Sequence, residues 1–356
     1  MNARLDIPTA RRATGCHRIH RQLPDVALES LNMRAIEVEH TGGPEVLSPV
    51  DKPRPSPGPG EVSIKAEAIG VNFVDTYFRS GLYPHELPFV LGAEVAGTVA
   101  EVGEGVRAPR VGERVATADA VGAYAEYCLA SADVVAAVPD TVTSDVAAAA
   151  ILKGMTAHLL IKSVYPVQSG DTVLLHAGAG GVGLILTQWA TSLGAQVITT
   201  ASTAHKKELS RRAGAAEVLD YPDDPQQFAA TVRQLTGGEG VAAVYDGVGK
   251  STFDASLASL AVRGTLALFG AASGPVPPMD PQRLNAAGSV YLTRPSRPHF
   301  MRTRDEFAWR TTQLFDTIGS GTIAVTVSDR YPLRDAAQAH RDLQDRKTVG
   351  SVVLTP

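Results

Sequence analysis

The chain has 356 residues, 44% hydrophobic and 20% charged, which is enough apolar material for two domains with separate cores and excludes disorder over most of its length. A formal charge of −4 with both signs interspersed gives no footprint for DNA or RNA. No run reaches the ~18 apolar residues of a membrane span, since the Ala-rich stretch from Val146 to Leu152 is followed by Lys153.

Two cysteines, Cys16 and Cys128, build neither a disulfide framework nor a four-cysteine zinc lobe, and fit a reducing cytoplasm. Residues 1–32 carry five Arg, two His and one Cys without an apolar period, so they are expected to be a disordered N-terminal extension. Asp6, Asp25 and Glu29 argue against a transit peptide. Cys16, His17 and His20 lack a fourth ligand and are read as accidental neighbours rather than a metal site.

From Met33 to about Ala137 the pattern is strand and turn, with Val62 to Ala68 and Val95 to Val102 as clear strands. Pro53 to Gly60 holds four Pro and two Gly and reads as an exposed turn. A long helix is expected from Ser144 to Lys162, capped by Thr143 or Ser144. Alternating units follow: strand Thr172 to Ala177, helix Val182 to Leu193, strand Gln196 to Thr200, helix His205 to Ala213 and strand Glu217 to Asp220. Then come helix Pro225 to Leu235, strand Val241 to Asp246, helix Thr252 to Leu260, and strands Thr265 to Phe269 and Val290 to Thr293. That rhythm predicts an α/β fold with a doubly wound parallel sheet. Helix Thr303 to Ile318, strand Ala324 to Ser328, helix Leu333 to Arg346 and strand Gly350 to Leu354 complete the chain.

Gly178, Gly180 and Gly183 satisfy G-x-G-x-x-G between a predicted strand and a predicted helix. Gly178 is read as permitting the tight turn, Gly180 as letting backbone approach a diphosphate, and Gly183 as letting helix pack on strand. Free amides at the helix start then favour the anion. An NAD protein carries Asp or Glu about 20 residues on, to accept the ribose hydroxyls. Here the chain reads Thr200-Ala-Ser-Thr-Ala-His-Lys-Lys207, with hydroxyls and ammonium groups suited to a 2′-phosphate. NADPH is the expected cofactor, although Lys206 and Lys207 also suit a solvated first helical turn.

Four further stretches carry a family resemblance: Gly42-Gly-Pro-Glu-Val-Leu47; Gly70-Val-Asn-Phe-Val-Asp-Thr-Tyr77 with Arg79-Ser-Gly-Leu-Tyr-Pro84; Leu152-Lys-Gly-Met-Thr156; and Tyr291-Leu-Thr-Arg-Pro-Ser296. With the glycine turn they make the chain from Met33 onward resemble the zinc-independent medium-chain dehydrogenase/reductases, specifically the NADPH:quinone oxidoreductases related to zeta-crystallin. The resemblance implies a GroES-like substrate domain over 33–154 that is rejoined by 295–356, with a Rossmann NADP-binding domain over 155–294 and an interdomain cleft as the active site. It implies that Asn72, Asp75 and Tyr83 face the nicotinamide, that Lys153 and Thr156 lie near it, and that Phe269 and Gly270 line its carboxamide. Gly178, Gly180, Gly181, Val182 and Gly183 form the diphosphate turn. Ser202, Lys206, Tyr221 and Arg346 hold the 2′-phosphate. Ser202 departs from the glycine often found there.

The superfamily's zinc alcohol dehydrogenases use a Cys and a His where this chain has Asn72 and Ala93, so no metal is expected. A quinone is already electrophilic and needs mainly stacking and exclusion of water. Tyr83 is the first candidate to donate to the developing oxyanion, with Tyr77 and Lys153 behind it, although both tyrosines also suit packing. Reduction of an enal, enone or enoyl thioester is the alternative chemistry. A non-catalytic, zeta-crystallin-like RNA-binding protein is the alternative class, opposed by the charge balance. An apolar strand from Ser289 to Thr293 at the sheet edge leads to the expectation of a homodimer.

Overall fold

The computed structural model describes residues 32–356, so the expected extension over 1–31, with Cys16, His17 and His20, lies outside the described residues. Asn32 is not part of a tail: it opens the first strand and pairs with Pro53.

The N-terminal part forms β1 (Asn32–Val38), β2 (Leu47–Pro53), β3 (Glu61–Val71), β4 (Phe89–Val90), β5 (Val95–Val102), β6 (Arg114–Thr117), β7 (Tyr127–Ser131) and β8 (Ala136–Ala137), with helix α1 (Phe73–Ser80). β2 alternates between more and less exposed side chains, with one wet face, whereas β1 alternates only at its start and is buried on both faces from Ala35 to Val38. The proline-rich turn is only partly exposed, because Pro53 and Pro55 line the cleft described below.

α2 (Ser144–Leu159) starts at Thr143, whose side chain accepts the Val146 amide, and ends in a π-type turn, Leu160–Val164. Ser144–Val164 is long and apolar enough to cross a membrane by length and composition alone, but 72% of that stretch is buried inside the protein. It packs on β3 and β5 on one side and on the glycine-turn helix on the other. The apolar composition is thus that of a central helix shared by two cores.

The alternating region gives β9 (Thr172–Leu175), α3 (Gly181–Ser192), β10 (Gln196–Thr200), α4 (Ala204–Arg212), β11 (Glu217–Leu219), α5 (Pro225–Leu235), β12 (Val241–Asp246), α6 (Phe253–Ala258), β13 (Leu260–Leu268), α7 (Gln282–Ala286) and β14 (Tyr291–Thr293). Its six strands are all parallel in the order β11-β10-β9-β12-β13-β14. This is the doubly wound Rossmann sheet, with its switch point between β9 and β12. α8 (Arg304–Gly319), β15 (Val327–Pro332), α9 (Ala336–Gln344) and β16 (Ser351–Thr355) follow. β1, β2 and β4 form a three-stranded sheet, and β16 inserts between β15 and β3 to complete a separate seven-stranded one that β3 begins.

The differences from sequence expectation have local causes. The expected helix Thr252 to Leu260 stops at Ala258, since Leu260 already pairs with Val241 and β13 begins there. The expected strand Ala324 to Ser328 lies at Val327–Pro332, where it finds β16 as a partner. The helix expected to reach Arg346 stops at Gln344, and Arg346 itself is left-handed at φ 57°. α1, an eight-residue helix capped reciprocally by Asn72 and Asp75, was not anticipated.

Candidate active site

A cleft of about 1260 Å³ opens at the C-terminal ends of the parallel strands, walled by α1, the loops of the N-terminal sheets and the glycine turn. Sixteen of the seventeen residues singled out in the sequence line it: Asn72, Asp75, Tyr77, Tyr83, Lys153, Thr156, Gly180, Gly181, Val182, Gly183, Ser202, Lys206, Tyr221, Phe269, Gly270 and Arg346. Gly178 does not. A side chain on Gly178 would fall 2.2 Å from the Thr199 hydroxyl, so its task is packing against β10. The left-handed residue of the turn is Ala177, at φ 61°. A Cβ on Gly183 would sit 2.3 Å from the Ala177 carbonyl and 2.7 Å from that of Gly178, so this glycine lets α3 lie close against the turn.

At the floor of the cleft lies a buried carboxylate. Glu94, with no exposed surface, accepts from Lys153 Nζ at 2.8 Å, Asn72 Nδ2 at 2.7 Å and the Leu152 amide at 2.7 Å. Asn72 caps α1 and its amide donates to Asp75 Oδ2. Burial pushes the Asp75 carboxyl up to about 7, against the hydrogen bonds from Asn72 and Tyr124. A chain of bonds runs on behind it. Arg79 donates to His340 Nδ1 at 3.0 Å, and a guanidinium has no acceptor, so neutral His340 carries its proton on Nε2 and donates to the Tyr124 oxygen. The Tyr124 hydroxyl is left to donate to Asp75. Burial beside Arg79 lowers His340 to about 3, consistent with the neutral ring.

Tyr77 and Tyr83 meet edge to face at 5.2 Å. The Tyr77 oxygen accepts from the Ala271 amide, and burial raises its hydroxyl. The Tyr83 oxygen accepts from Arg294 at 3.3 Å. Phe269 and Gly270 follow β13; a Cβ on Gly270 would lie 2.2 Å from the Gly247 carbonyl, which keeps that strand end flat against its neighbour.

At the other end, Lys206 Nζ donates to the Arg346 carbonyl at 2.5 Å, and the Arg346 guanidinium lies 5.9 Å from the Tyr221 ring centre. Neither cation has a carboxylate partner among the described residues, and burial together with Arg346 lowers Lys206. Lys207, equally plausible from sequence, pairs instead with Asp220. Two adjacent cations beside Ser202, with no acidic residue following β10, fit an anion such as a 2′-phosphate. The amides at the start of α3 fit a diphosphate.

Comparison with known proteins agrees with this geometry. Residues 58–140 match the alcohol dehydrogenase GroES-like domain and residues 181–309 the zinc-binding dehydrogenase domain. A quinone oxidoreductase of Salmonella typhimurium is 45% identical over 90% of this chain and 99% of its own. A mycobacterial protein solved with NADPH is 71% identical with a TM-score of 0.90, over 91% of this chain and all of that one. The chain belongs to the quinone oxidoreductase family of medium-chain dehydrogenases/reductases. A 2-haloacrylate reductase of Burkholderia, 43% identical over 90% of this chain and 98% of its own, is a further relative. Among the described residues no group of three or more His, Cys, Asp or Glu side chains could hold a metal, and the Asn72 side-chain amide donates to Glu94.

Sequence reading passed over two residues of the site. Glu94 was visible only as the last member of Gly92-Ala-Glu94, and Arg294 only as part of the Tyr291 to Ser296 stretch. Neither has a local pattern, because each acts through partners far along the chain. Lys153→Met is expected to destabilise the protein by about 3–5 kcal/mol, because Glu94 is left buried and uncompensated. Lys153→Met combined with Glu94→Gln should recover part of that loss, both read as urea unfolding midpoints.

Proposed function

We propose that this chain is an NADPH-dependent quinone oxidoreductase that works without a metal in the cleft between a substrate region, 33–154 with 295–356, and a cofactor region, 155–294. The observation that carries the reading is one continuous cleft. It has an unpartnered cation pair at one end, an amide-lined glycine turn in the middle and an aromatic pair at the other. NADPH, when bound, supplies a hydride, and the quinone takes up one further proton to leave as hydroquinone. Ser202, Lys206, Tyr221 and Arg346 hold the 2′-phosphate, and Gly180 to Gly183 receive the diphosphate. Asn72, Asp75, Thr156, Phe269 and Gly270 border the nicotinamide, while Gly178 shapes the turn from behind. Tyr77 and Tyr83 stack the acceptor and exclude water, and Tyr83 donates to the oxygen that gains charge. Lys153 acts as the counter-charge of Glu94 rather than as a free acid, which moves it out of the catalytic set.

The relative named for 2-haloacrylate reduction supports activated alkenes as the second reading. Turnover of 1,4-benzoquinone, 9,10-phenanthrenequinone, an enone and crotonyl thioester with NADPH decides between them. Quinone turnover that survives prolonged chelation is expected. Oxidation of NADPH by none of these acceptors, or about one zinc per purified chain, sinks the proposal.

Lys206→Ala and Arg346→Ala should each raise KM for NADPH roughly ten- to a hundredfold and leave NADH kinetics nearly unchanged, because a charge-assisted contact to phosphate contributes ~1.5–3 kcal/mol. Equal losses with both cofactors would mean that these residues support the fold or the diphosphate instead.

We assign a cytoplasmic homodimer with no nucleic-acid partner. β14 ends the parallel sheet, and Tyr291 on it and Val262 beside it are 63% and 74% exposed. Sedimentation at micromolar concentration should give twice the chain mass, and a monomer rejects the assignment.

A further inference from the structure

The charges lining the acceptor end of the cleft are nearly all matched. Arg297 is bonded to both carboxylate oxygens of Asp119, Lys52 pairs with Glu37, and Lys153 pairs with Glu94. Arg294 is the exception: it has no carboxylate partner among the described residues, yet its guanidinium is held in place. One nitrogen donates to the Leu268 carbonyl at 3.0 Å and the other to the Tyr83 hydroxyl at 3.3 Å, which leaves this exposed, cleft-lining residue further N–H groups without a protein acceptor among the described residues.

Its position rules out the 2′-phosphate as its target. Arg294 follows β14, four strands from β10, whose end leads to Ser202 and Lys206. Its guanidinium reaches back to the Leu268 carbonyl on β13, three strands from β10 and about 14 Å away at ~4.8 Å per strand. The glycine turn, two strands from β13 after β9, is about 10 Å distant on the same spacing. A guanidinium that lines the cleft, bonds to Tyr83 and stands apart from the 2′-phosphate end is placed to meet an anion on the acceptor.

We propose that Arg294 determines specificity by selecting acceptors that carry an anionic group, a carboxylate or sulfonate attached to the reducible ring or double bond. The inference rests on the reading of the cleft as a quinone or activated-alkene site, and gives that site a preferred substrate class. A planar guanidinium meets a carboxylate with two parallel bonds, a match that an uncharged acceptor of the same shape cannot make. Tyr83, already bonded to Arg294, then orients the reacting end while Arg294 anchors the charged one.

The test uses ligands that cannot be reduced, so that it stands apart from which acceptor is turned over. The NADPH-loaded protein is titrated calorimetrically with naphthalene-2-carboxylate and with 2-naphthamide. The carboxylate is expected to bind about tenfold more tightly. Arg294→Gln, which keeps a donor for the Leu268 carbonyl but discards the charge, should bring the two affinities within twofold. Tyr83→Phe should keep the preference for the anion. Equal affinities in the unaltered protein, or a preference that survives Arg294→Gln, overturn the proposal. Arg294→Met serves as a second charge-free variant should Arg294→Gln fold poorly, with the same two readings. Failure of every acceptor in the turnover panel would refute the oxidoreductase reading while leaving this measurement intact.

Discussion

The interaction on which the rest depends is the solvation of one carboxylate by protein. Glu94 has no exposed surface, and a charge in that position costs several kcal/mol unless protein donors and a counter-charge take over from water. Three donors from two directions do so: Asn72 from the start of α1, and Leu152 with Lys153 from the middle of α2. A Cβ on Gly70 would lie 1.9 Å from the same carboxylate, so β3 must have glycine at that point. One side chain thereby fixes where the first helix starts and how the central helix lies against the substrate sheet. The floor of the cleft follows from both.

From that floor the polar wiring extends toward the chain's end. Asp75 sits between the Asn72 cap and Tyr124, and Tyr124 is tied through His340 to Arg79, which also donates to Gln344. Gln344 ends α9, and two residues later comes Arg346 of the cation pair. Both ends of the cleft are therefore anchored to the same two helices, α1 and α9. The links among Asp75, Tyr124, His340 and Arg79 are buried and hydrogen-bonded, so that part of the network is rigid where it is complete and expensive where any member is lost, while the last link to Gln344 is part-buried.

The parallel-sheet half was legible because each strand and helix there carries its own period and its own turn. The glycine motif could be placed between a strand and a helix before any contact was known. The absence of Asp or Glu after Thr200 was equally local and pointed to the same cation cluster that the structure assembles. What sequence left undecided were choices made by distant partners. Lys206 and Lys207 are adjacent, and only Asp220 and the Arg346 carbonyl separate them. Gly178 looked like the flexible point of the turn, whereas Ala177 takes the positive φ and Gly178 makes room for Thr199. α1 escaped notice because eight residues with three aromatics have weak helical propensity, and its cap is stabilised by burial next to Glu94.

The insertion of β16 between β15 and β3 has a consequence for biosynthesis. β3 emerges from the ribosome about 280 residues before its antiparallel neighbour Ser351–Thr355. At roughly 5–20 residues per second the nascent chain spends tens of seconds with Val71, Gly70 and Ile69 exposed along an open strand edge. The parallel sheet, contiguous from β9 to β14, closes during that interval without help from the terminus. A chain lacking Ser351–Thr355 would thus leave the cofactor half folded and the substrate half with an unpaired edge, the kind of surface that cellular chaperones and proteases recognise.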